Sequence, residues 1–187
     1  MKKRSFLAGG LLAVLATACT TTGTSGGDPM ARRTGIDSSV DAALSKLYGQ
    51  VQGSRELTAK AKGVLVFPSV VSAGLGVGGS YGQGALRVGG RSVGYYSTTA
   101  ASVGLLAGAD SKAVFVLFMT QESLDKFRAS NGWTAGADAS VTMLKVGANA
   151  TIDTQTAQQP IIGFALSNAG LMANLSLDGT KISRLDL

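Results

Sequence analysis

The sequence predicts an α+β domain: N-terminal helices packed on a strongly curved, glycine-rich, mainly antiparallel sheet, barrel- or sandwich-like, with one inserted helix near 121–130. Three observations carry this. Apolar residues recur at helical spacing between Val40 and Val51. Beyond Gly63 strand-like runs follow one another with a single helical interruption. Glycine supplies 26 of 187 residues, about twice the usual share of roughly 7%.

The chain opens on Met1-Lys2-Lys3-Arg4 and the thirteen-residue run "FLAGGLLAVLATA" from Phe6 to Ala18. A membrane-spanning helix takes about 20 residues. A cationic head and a short apolar core ending in small residues describe a secretory signal peptide, residues 1–18. "LATAC" also resembles a bacterial lipobox, with Ala16 where leucine is usual. Cys19 is the only cysteine, so no intramolecular disulfide can form. Acylation at Cys19 removes a thiol exposed to an oxidising compartment and gives a durable anchor, because two or more chains hold where one dissociates. Thr20 rather than Asp follows the cysteine, which resembles the sorting signal for the outer membrane. The expectation is a lipoprotein of the cell outer membrane, its domain facing the periplasm.

Residues 19–36 read as the acylated cysteine and a flexible tether. "TTTGTSGGDPMARRTG" is dominated by Thr, Gly and Ser and shows no apolar period. As a coil it spans on the order of 20–25 Å. The domain is then 37–187, one unit by its length. Its first helix is capped by Asp37 or Ser38, and Val40, Ala43, Leu44, Leu47, Tyr48 and Val51 recur at three and four. Ser54 can cap a second helix over "RELTAKAK". The apolar stripe has two uses: packing on the domain core, or entry into a bilayer as interfacial helices do. In the second, Val40, Leu44, Leu47 and Val51 supply the apolar face, while Lys46, Arg55, Lys60 and Lys62 contact phosphates.

Next come "GVLVFPSVV", "GALRVGGRSVGYYS", "ASVGLLAGA", "KAVFVLFM", "GADASVTMLKVGANATID", "PIIGFALS" and "GLMANLSLDGTKISRLDL", all strand-like. "TQESLDKFRAS" interrupts them as a helix, with Thr120 as cap and Leu124 and Phe127 facing inward. This order opposes alternating β-α-β units and places helices at one side of the sheet.

Gly74, Gly76 and Gly79 spell G-x-G-x-x-G. A dinucleotide site needs that pattern to close a strand and open a helix, with an acidic residue about 20 positions on. Here "SYGQGALRVGG" follows, without helical period, and Tyr95 to Thr99 holds no acid. The glycines instead alternate along one strand face, Gly74, Gly76 and Gly78, then Gly82 and Gly84. That spacing marks a bend or a close approach of backbone. No nucleotide and no other cofactor is expected.

Charge adds exclusions. The net +6 falls to +3 once the three cations of residues 2–4 are cleaved, leaving 14 bases against 11 acids. From Gly63 onward eight bases face seven acids, with no basic stripe among aromatic platforms, so no nucleic acid is expected. The chain has no histidine. Neither a Ser-His-Asp triad nor an H-E-x-x-H zinc helix is possible. Ser123 and Lys126 match S-x-x-K, but no Lys-Thr-Gly strand accompanies them. "AGAD" occurs at Ala107–Asp110 and Ala135–Asp138; one carboxylate per copy is too few for calcium, and a recurrent strand-end turn accounts for both. A non-enzyme is expected.

Three blocks resemble the SYLF domain family in order: "AKGVLVFPSVVSAGLGVGGSYGQGAL", "TAASVGLLAGADSKAVFVLFMTQESLDKF" and "SNAGLMANLSLDGTKI". Ser167, Gly170, Leu171, Ala173, Ser176, Leu177 and Gly179 meet its closing motif. The resemblance spans about Asp37 to Leu185 and implies a lipid-binding module, since eukaryotic relatives bind phosphoinositide membranes. Some yeast members bind actin, an activity foreign to a periplasm. The partners implied are membrane lipids, besides the acyl chains on Cys19. The alternative is a structural or protein-partner module of the envelope, attached by its anchor alone.

Overall fold

A computed structural model describes residues 28–144, 158–168, 170–172 and 176–187. Cys19, the signal-like segment and the residues before Asp28 lie outside these. Two helices open the described chain, α1 (Pro29–Gln50) and α2 (Ser54–Lys60). They lead into β1 (Gly63–Val88) and β2 (Arg91–Phe118), followed by α3 (Gln121–Ala129). Short strands complete it: β3 (Trp133–Thr134), β4 (Thr142–Met143), β5 (Ile161–Ser167), β6 (Gly170–Leu171) and β7 (Lys181–Leu185).

Helix α1 starts eight residues before the expected cap at Asp37. Asp28 is the cap: its Oδ1 accepts from the Met30 amide at 3.1 Å, and Pro29 takes the first helical position, where a missing N–H costs nothing. The tether reading is therefore wrong for 29–36. Thr34, Ser38 and Ser39 satisfy their hydroxyls on carbonyls four residues back, and burial of Ile36 and Val40 on the core holds this Thr/Ser/Gly-rich segment in the helix. Helix α2 begins at Ser54, whose buried hydroxyl donates to the Val51 carbonyl at 2.6 Å; the cap position is Gly53.

The sheet is mainly antiparallel and strongly curled, in the order β3-β7-β2-β5-β4, with β1 on β2 and β6 on β5. Strand β2 is its hub: residues 95–99 pair with β7 and 113–118 with β5, while β1 runs along almost its whole length. Among the described strand pairs only β4–β5 is parallel. Gly89 and Gly90 turn the β1–β2 hairpin with φ of 57° and 79°, the left-handed pair that a two-residue turn requires.

Successive residues of β1 feed two cores. Val64 and Val66 join Phe115, Leu117, Ile162 and Phe164 under α1 and α2. Leu65 and Phe67 join Val116, Phe118, Ile161 and Trp133 under α3, where Phe127 lies 5.7 Å edge-on to Trp133. The inserted helix is as expected, with Thr120 capping Ser123 and with Leu124 and Phe127 buried. The expectation of helices at one side is corrected, because the fully apolar runs of β1, β2 and β5 leave two faces to cover.

Glycines let β1 double back on itself. A Cβ on Gly78 would sit 2.7 Å from the Ala73 carbonyl oxygen, and one on Gly82 2.8 Å from that of Ser69. Gly74 meets Gly78 and Gly84 meets the Val66 carbonyl closer still. The G-x-G-x-x-G thus lies inside a strand at its fold, where backbone touches backbone. "AGAD" proves to be two structures: Ala107–Asp110 lies within β2, and only Ala135–Asp138 is a turn. The described part of "GADASVTMLKVGANATID" is largely turn and coil, with only two residues in β4.

Candidate functional site: a cationic groove beside the first helix

Helix α1 presents three rows. Ile36, Val40, Ala43 and Leu47 form the buried one. On one flank Asp37 and Asp41 tie the helix to the hairpin turn. Asp37 accepts from the Ser92 hydroxyl at 2.6 Å and the Tyr95 phenol at 2.9 Å, and the Arg87 guanidinium lies 2.7 Å from Asp41. Burial, then the hydrogen bond to Asp37, push the Tyr95 phenol above its ordinary value. On the other flank Arg32, Ser39 and Lys46 stand seven residues apart, two turns each, and line an open groove of about 670 Å³.

The opposite wall comes from the folded hairpin and the end of β5. Ser69 and Ser111 face each other at 2.9 Å across it, and Lys112 and Gln83 lie beside them. Asn168 accepts from the Lys46 ammonium at 3.2 Å. Among the described residues, three cations line this groove and no carboxylate does. A concave surface of one charge sign focuses its potential on a counter-ion. With an arginine fork, two ammoniums and hydroxyls, the set can hold a phosphate-like anion.

The predicted site residues fall elsewhere, Lys46 excepted. Val40 and Leu47 are fully buried, Val51 is buried, and Leu44 packs partly buried on the same core. The stripe is occupied by the protein's own interior, which overturns its use as a lipid-facing surface in this structure. Arg55 lies 4.4 Å over the Tyr48 ring, and Lys60 and Lys62 are exposed at and just beyond the end of α2, outside the groove. Arg32 and Lys112 were missed. Asp28-Pro29 signalled a helix start that would have placed Arg32 on the Lys46 row; nothing local marks Lys112. Ser123 and Lys126 line a second groove of about 560 Å³. Lys126 pairs with Glu122 at 2.7 Å and Ser123 lies 3.1 Å from the Pro160 carbonyl, so neither holds the other.

Fold and groove together define an α+β module equipped to bind. Residues 99–186 match the family Ysc84, described as Las17-binding protein actin regulator. That stretch, running from within β2 past β7, thus carries a SYLF-family domain. No curated protein matches it.

Proposed function

We propose that this chain is an outer-membrane lipoprotein, anchored at Cys19, whose SYLF domain binds anionic lipid at the periplasmic surface without catalysis. The observation that carries the reading is the groove with Arg32, Lys46 and Lys112 and, among the described residues, no carboxylate. Each such cation is worth about 1 kcal/mol near an anionic membrane. The family match supports a lipid- or protein-binding module.

Vesicle co-sedimentation tests it, using a domain that begins at or before Asp28, since a start at Arg32 would remove the capped first turn of α1. Binding should rise with anionic lipid and weaken with salt. Reversing all three cations to Glu should weaken it at least about a hundredfold, from about 1 kcal/mol per charge. Unchanged binding would move the site away from the groove. No binding to any vesicle would leave the acyl chains as the sole membrane contact and favour the envelope protein-partner reading, which the protein-binding description of the matched family also supports. Crosslinking in the envelope would then find that partner.

A further inference from the structure

We infer that the folded apex of the β1–β2 hairpin is a wedge that enters the membrane at its headgroup–acyl boundary while the groove at its base holds the phosphates. The inference rests on the lipid reading above and adds a second contact to it. Val71, Leu75, Val77 and Tyr81 are exposed by 49%, 84%, 71% and 49%. They lie on the outer face of one doubled strand, whose inner face is the glycine contact of Gly74, Gly78 and Gly82. Large apolar side chains held outward by a backbone fold are costly in water.

Three features select a lipid surface as the occupant. First, the apex is continuous with the groove: Ser69 and Gln83 line the groove, and Val71 and Tyr81 are the next outward residues on each arm. Gln83 Nε2 donates to the Tyr81 hydroxyl at 2.7 Å, which sets that ring with its polar tip toward the groove residues, as at a membrane interface. Second, the doubled arm of β1, residues 71–86, includes no charged side chain; Asp110, paired with Ser72 across the ladder, stands at the base of the apex, so the tip around Leu75 and Val77 enters an apolar boundary without desolvating an ion. Third, nine residues lie between Cys19 and Pro29, and the ten steps from one to the other span no more than about 35 Å. An anchor at Cys19 therefore keeps α1 and the groove within reach of the bilayer. Insertion stays shallow, because strand edges cannot leave their polar groups unpaired in hydrocarbon.

The test places tryptophan at the apex of the full chain (Leu75→Trp) and, as control, at the hairpin turn (Val93→Trp), in anionic vesicles containing lipids brominated along their acyl chains. Leu75→Trp fluorescence should shift to the blue and be quenched; Val93→Trp should be quenched no more than the wild type, whose Trp133 is buried. Leu75→Glu with Val77→Glu should keep the wild-type urea midpoint and lose about tenfold or more in vesicle affinity. Equal quenching at both positions, with salt-dependent binding intact, would overturn the wedge alone. Loss of salt-dependent binding in the wild type would overturn the lipid reading and the wedge with it. Self-association without lipid that Leu75→Glu abolishes would assign the apex to a second copy, and also overturn it.

Discussion

Replacing Gly84 by alanine tests whether the glycines of β1 are there for backbone contact. The added Cβ would overlap the Val66 carbonyl oxygen and lie 2.8 Å from Phe67 Cδ1. Val66 is fully buried and paired with Phe115 in the β1–β2 ladder, so it can retreat only by deforming the sheet. Overpacking in a tight core costs about 1–3 kcal/mol, and contact with backbone rather than a flexible side-chain end puts this site near the top, about 3 kcal/mol. With a urea slope of about 2 kcal/mol per molar, the midpoint should fall by about 1.5 M. For a domain of this size the melting temperature should drop by about 6–12 °C. Gly79→Ala is the control. Its Cβ would meet nothing closer than the Ala100 carbonyl oxygen at 3.7 Å, so it should match or slightly exceed the wild type. Equal midpoints for the two variants would refute the contact argument.

Leu47→Ala should cost about 2–5 kcal/mol in urea unfolding, because Leu47 is fully buried between α1 and the sheet. Leu47→Glu should unfold the domain, so its circular dichroism must be read before its vesicle binding; a folded Leu47→Glu would contradict the core assignment. The phenols give a pH signature. Tyr95 and Tyr96 are both raised above 10.0, first by burial, and Tyr95 also by Asp37. A group raised on folding contributes stability that is whole below the unfolded value, about 10, and is lost as pH climbs through the folded one. The urea midpoint should therefore fall above pH about 10, and less steeply in Tyr95→Phe; identical slopes would remove the Asp37–Tyr95 contact from the account.

Periodicity and capping made several elements legible without coordinates. Thr120, Leu124 and Phe127 specify α3, because an N-cap and a three-residue apolar spacing are local properties. The runs from Gly63 onward read as strands for the same reason. Asp28-Pro29 was legible too, but the Thr/Gly/Ser composition around it argued for a coil. Burial of Ile36 and Val40 against the core, beyond a capped first turn, outweighed that composition.

What the sequence by itself determined was the α+β class, the apolar stripe of the first helix and glycine placed along strand faces. Each follows from interactions within a few residues. The tertiary structure decided what those features meet. The stripe meets Phe115 and Phe164 in the core, the glycines meet carbonyls of their own strand, and Lys112 joins Arg32 and Lys46 across about 70 residues of chain. A period of 3.6 or 2 says that one face is apolar or narrow; only the packed chain selects which surface lies against it.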